Sequence, residues 1–256
     1  MRTRPRELRR VALFVVFLVV WQVTCKRDAD LRLFFSTPEL TARYVYSHLR
    51  DLTADSLYTS LESLAGFAIA CIVSWTLIFP CFYFRSLLRR ILPPVVASQT
   101  VPLITLAPLF IVVFGIGFAS KALMAALLCF FPLFVSLANA YSSTPRELRE
   151  MANLYNSPVL TRLRLIELPL ALPGVFSGLK VSVTLSVVGA VVAEFNGSSL
   201  GLGRDLFVAA KRLDAELMIG SLALTTALGL LLYSGVAAAE RRFGFWYVSS
   251  NERNEQ

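Results

Sequence analysis

The chain has 256 residues, 56% of them hydrophobic, and a mean hydropathy of +0.64, which excludes an ordinary soluble domain. Its net charge of +8 does not signal nucleic acid, because the basic residues stand just outside long apolar blocks, where membrane topology puts them. The four cysteines, Cys25, Cys71, Cys81 and Cys129, lie in or beside apolar runs without metal-ligand spacing, so they read as packing residues, with no metal and no cofactor expected.

Arg2, Arg4, Arg6, Arg9 and Arg10 precede the first apolar run, residues 11–24. A basic start and a short apolar run also describe a secretory signal. Further apolar blocks follow, however, and Gln22-Val23-Thr24 before Cys25 is a poor processing sequence, so this block reads as an uncleaved membrane helix. Lys26 to Asp55 is mixed in charge and holds the only histidine, His48, read as a surface residue. Within it, Thr37-Pro38-Glu39 predicts the start of a short amphipathic helix on the outer membrane surface.

Residues 57–79 form the second span, with Glu62 near its start and within reach of the interface. The third block, 91–118, is interrupted by Pro93, Pro94, Pro102 and Pro108. Prolines free backbone carbonyls that only protein or water can satisfy, so this block is expected to face the interior, either as a kinked packing helix or as a gate. Residues 122–140, 170–195 and 217–239 complete six spans, each near the ~20 residues that cross a bilayer. In the fifth, Gly174, Gly178, Ser182, Ser186 and Ala190 make a stripe suited to close helix packing. Lys180 stands out there, since a charge at mid-span costs about 2.5–3.5 kcal/mol, and it is expected to snorkel or to face an aqueous cavity. Glu194, at the end of that span, is either a loop carboxylate satisfied locally or part of a substrate entrance.

The longest polar segment between apolar blocks is 144–169. Thr144, Pro145 and Glu147 form a helix start, and Leu148, Met151, Ala152 and Tyr155 recur on one face. Asn156 suits a left-handed helix end, Ser157-Pro158 opens a second short helix, and Pro169 is expected to stop it. Glu150-Met151-Ala152, then Asn156, then Ile166-Glu167-Leu168-Pro169 resembles the EAA loop of binding-protein-dependent ABC importer permeases, with Met151 and Asn156 departing from the family's alanine and glycine. Leu106-Ala107-Pro108-Leu109, Phe114-Gly115-Ile116-Gly117 and Ala193-Glu194-Phe195 with Leu200-Gly201-Leu202-Gly203 look most like the branch handling nitrate, taurine, aliphatic sulfonates and thiamine-pyrimidine precursors.

The resemblance implies an all-α integral membrane protein with the type I ABC importer permease fold, one transmembrane domain over 1–256. It implies a bacterial inner-membrane subunit that passes a small polar solute from an extracytoplasmic binding protein. A separate cytoplasmic ATPase would be coupled through Glu150, Met151, Ala152, Asn156, Ile166, Leu168 and Pro169, and a second copy would complete a homodimer. Pro108, Phe114, Lys180 and Glu194 are the candidate pathway or gate residues.

Charge supports the same topology independently. With both termini inside, fifteen basic residues face the cytoplasm against nine outside, and the 144–169 segment is cytoplasmic. No phosphate-cradling Gly-x-x-x-x-Gly-Lys-Ser/Thr occurs, nor a set of catalytic residues, so a non-catalytic subunit is expected. Two rivals stay open at this point. An ion-gradient-driven transporter would need mid-span ionisable residues, for which Lys180 alone is available, and a membrane scaffold fits proline-broken helices poorly.

Overall fold

Apolar blocks that cannot satisfy their backbone groups in lipid must fold as helices or closed barrels. The computed structural model describes residues 4–27, 35–154 and 158–244, and among these every regular element is helical. Helix α1 (Arg4–Arg27) covers the first apolar block. Helix α2 (Pro38–Ser47) starts as the sequence predicts, with the Thr37 hydroxyl accepting the Leu40 N–H at 3.3 Å and Pro38 in the first turn. Helix α3 (Leu49–Tyr83) is far longer than the 57–79 span, because its first turns carry polar groups bonded to other elements rather than to lipid.

The third block is not one kinked helix. It divides into α4 (Arg85–Ser98), a 3₁₀ turn (Leu103–Leu106) and α5 (Ala107–Phe114), and its two arms meet at 81°. Pro93 and Pro94 are absorbed inside α4, so the break falls at Pro102, which has no N–H to continue a ladder. Helix α6 (Phe118–Ser142) returns across the bundle. Beyond it lie α7 (Arg146–Leu154) and α8 (Val159–Arg162).

The expected stop at Pro169 does not occur. From α8 the chain passes through a π-helical turn (Leu163–Glu167) straight into α9 (Leu168–Glu194), and Pro169 falls in the first turn of α9, where proline is tolerated. Helix α10 (Leu202–Arg212) lies across the end of the bundle, and α11 (Ala215–Phe243) starts with Asp214 accepting the Leu217 N–H at 3.0 Å. Among the described residues, four stretches are long and apolar enough to cross a membrane: α3, α6, Val159–Glu194 and α11. A fifth is added if the bent α4–α5 pair counts as one span.

Helix α6 lies at the centre, flanked by α3 and α9, and α11 packs behind α9. Phe134, Leu133 and Met124 on α6 are fully buried. Close to its C-terminal end, Ile78, Cys81, Leu137, Tyr141 and Val175 form the largest apolar cluster. There the Tyr141 hydroxyl donates to the Cys81 carbonyl at 3.1 Å, and its ring meets Phe82 edge-on at 4.7 Å. The small-residue stripe of α9 does the packing expected of it: a Cβ added at Gly178 would stand 2.4 Å from Ser136 Cβ on α6.

Candidate functional site

Two polar regions sit at opposite ends of this bundle. At the end where α3 and α6 begin and α9 finishes, Asp55, Thr59, Glu62, Lys121, Glu194 and Asp205 are all buried. The Lys121 ammonium lies 3.2 Å from Glu62, reaches the Ser198 hydroxyl at 2.6 Å, and stands 4.9 Å over the Tyr58 ring. The Thr59 hydroxyl donates to Glu194 Oε1 at 2.7 Å and accepts the Leu202 N–H at 2.9 Å. Glu194 Oε2 accepts the Gly203 N–H at 2.5 Å, while Asp55 accepts the Gly201 N–H at 2.6 Å.

Backbone geometry makes this closure possible. Gly201 has φ of +112°, a region side chains rarely adopt, and a Cβ there would stand 2.1 Å from Glu194 Oε1. The loop after α9 therefore folds down onto the Glu194 carboxylate and is held against α3. Asp205, on α10 just beyond that loop, has its carboxyl pushed up to about 6 by burial and by the neighbouring Asp55, against the opposing pull of Arg204 at 3.0 Å.

At the opposite end lies the 144–169 segment. Helix α7 begins one residue after Pro145. Ala152 is buried, whereas Glu150 and Met151 are exposed, together with Leu148 and Leu154. Leu148, Met151 and Leu154 are three residues apart, so one apolar row faces outward, with Ala152 on its flank. Ile166, Leu168 and Pro169 are half-buried in and just after the π turn. Glu167, beside them, is buried and pairs with Arg162 at 3.2 Å. Asn156 lies outside the described residues.

Residues 64–244 match the family model described as binding-protein-dependent transport system inner membrane component. The chain belongs to this family. A probable ABC transporter permease protein of Haemophilus influenzae is 30% identical over 243 residues, covering 95% of this chain and 99% of that protein. The riboflavin transport system permease protein of Chloroflexus aurantiacus is 34% identical over 237 residues, 92% and 88% of the two chains. The formylaminopyrimidine transport permease protein of Halalkalibacterium halodurans is 26% identical over 245 residues, 94% and 96%. This chain is thus an ABC importer permease subunit, a multi-pass membrane protein of transport.

The permease keeps its four candidate pathway residues apart. Glu194 is enclosed in the polar cluster. Lys180 pairs with Glu240 of α11, just past the apolar part of that helix. Pro108 is exposed in the first turn of α5, and Phe114, stacked on Phe110 at 5.8 Å, is exposed at the other end of α5. Asp55, Thr59 and Lys121 escaped the sequence reading, in which Asp55 and Lys121 belonged to outer loops. A signal was present, since Asp55, Thr59, Glu62 and Ser63 recur at helical spacing, but Arg50, Asp51, Thr53, Ser56 and Ser60 are interleaved with them and mask the stripe.

Proposed function

We propose that the permease is driven by a separate cytoplasmic ATPase docking on α7, with Glu150, Met151, Ala152 and Asn156 at the contact and Ile166, Leu168 and Pro169 passing motion into α9. The observation that carries this reading is the outward apolar row Leu148, Met151 and Leu154 beside the exposed Glu150 on α7. Nucleotide binding draws two ATPases together, α7 moves as a rigid lever, and the bundle alternates between two packings. Two copies of the chain enclose the route, both termini are cytoplasmic, and an extracytoplasmic binding protein delivers the solute. Pro108 and Phe114 belong to the gate in this reading, whereas Lys180 and Glu194 hold helices together. The relatives named for riboflavin and formylaminopyrimidine transport are the reason to try organic nitrogen heterocycles first.

The test is capture of a nucleotide-hydrolysing partner by the detergent-purified permease, with Glu150→Arg beside the parent. Capture by the parent and not by the variant is the expected result. Capture by both moves the docking surface away from Glu150, and capture by neither from a folded preparation overturns ATP coupling through this chain.

A further inference from the structure

Between α4 and the 3₁₀ turn, residues 99–102 leave helical geometry. With Leu103 and Ile104 of the 3₁₀ turn they border a groove of about 590 Å³, faced by Leu128, Phe131, Pro132 and Val135 of α6 and Leu185 of α9. Those residues lie near the midpoints of their helices, so the break sits at the middle depth of the bundle. Among the described residues, nothing donates to the carbonyls of Gln99, Thr100 or Val101. The Gln99 side chain is exposed, and the Thr100 hydroxyl gives its proton to the Ala97 carbonyl at 2.8 Å, leaving lone pairs outward.

Lipid cannot satisfy three free carbonyls and an amide, each costing on the order of 1–3 kcal/mol when buried without a partner. Broken backbone at membrane depth persists only where protein or water covers it. The groove is also one-sided in charge. No ionised side chain lines it, and the C-terminal end of the fourteen-residue α4 adds the negative pole of its helix to the carbonyls of the break. We infer that the break at Gln99–Val101 is the mid-membrane wall of a water-filled solute route, where free carbonyls, Gln99 and Thr100 receive an uncharged or cationic solute through its N–H donors and disfavour anions. This rests on the permease reading and adds to it a place and a chemical class.

The test uses the full chain in native membranes with its partner subunits, carrying Gln99→Cys or Thr100→Cys, against the parent as background for the four native cysteines. Each is treated with a cationic trimethylammonium-ethyl and an anionic sulfonatoethyl methanethiosulfonate, with and without ATP. Ser47→Cys, at the exposed end of α2, is the reactive control, and Leu230→Cys, on the exposed face of α11, is the lipid-facing one. The expected result is modification at 99 or 100 in at least one nucleotide condition. The cationic reagent should be favoured on the order of tenfold beyond its advantage at a free thiol, as field focusing in a polar cleft produces. Absence of modification at both positions in both conditions, with the Ser47→Cys control reacting, overturns the route, and equal or faster reaction of the anionic reagent overturns its chemistry. Because ATPase capture is measured separately, an unreactive break in a chain that captures its ATPase sinks this inference alone.

Discussion

The close approach of α6 and α9 at Gly178 gives a prediction whose sign opposes the simplest expectation. Replacing Gly178 by Ala in the middle of a helix ordinarily stabilises by up to about 1 kcal/mol, through helix propensity alone. Here the new Cβ would lie 2.4 Å from Ser136 Cβ, 3.0 Å from Ser136 Oγ and 3.7 Å from Leu133 Cδ1. Carbon atoms in contact prefer about 3.5–4.0 Å, so α6 and α9 must separate by roughly 1 Å or more at this level. Overpacking of that kind costs about 1–3 kcal/mol, leaving a net loss of up to about 2 kcal/mol once propensity is counted. The free thiols of Cys81 and Cys129 are buried, so a thiol-reactive dye reports thermal unfolding in detergent directly. Gly178→Ala should lower the midpoint, and Ser136→Gly in the same chain, which removes the clashing Cβ and Oγ, should restore most of it. A single variant as stable as the parent, or a double variant no better than the sum of the two singles, refutes the steric account.

Three further outcomes follow from the geometry. Lys121→Met leaves Glu62 buried without its counter-charge and should cost about 3–5 kcal/mol in the same dye assay, whereas adding Glu62→Gln should recover much of that loss. Asp205 carries a folded-state value of about 6, above its ordinary 3.8, so its contribution to stability is fully present below the ordinary value and is lost as pH rises through about 6. The midpoint difference between the parent and Asp205→Asn should therefore shift against the parent between pH 5 and pH 8, and a pH-independent difference would refute the assignment. Tyr141→Phe removes the bond to the Cys81 carbonyl and keeps the ring on Phe82, so thermal unfolding should show a loss of only about 1 kcal/mol.

Much of the fold was legible because the bilayer constrains it so strongly. Apolar block length located α3, α6, α9 and α11, and the Thr37-Pro38 start of α2 was read to the residue. What resisted was set by contacts between distant residues. The 35-residue length of α3 depends on Asp55 and Thr59 meeting Gly201, Leu202 and Glu194 more than 130 positions away, and no local pattern announces that partner. Pro102 rather than Pro93 or Pro94 breaks the third block, although all three read alike in sequence, because α4 absorbs the adjacent pair. Pro169 failed as a stop for a related reason. A preceding π turn allowed the helix to restart around it, and that turn has no composition cue. Glu150, Met151 and Ala152 were singled out by motif alone, and the structure adds that Glu150 and Met151 are exposed while Ala152 is buried.

The uninterrupted stretch Val159–Glu194 has a consequence for how the two ends of the molecule can move. Its 36 residues span about 54 Å at 1.5 Å per residue. A tilt of about 5° around its midpoint swings the two tips in opposite directions by roughly 2.4 Å each. That is enough to part the Glu194 contacts with Thr59 and Gly203 at one tip, since hydrogen bonds tolerate only a few tenths of an ångström, while the Arg162–Glu167 pair near the other tip lies within the stretch and travels with it. The two ends therefore behave as the seats of a seesaw: neither can shift on its own while the helix between them stays straight.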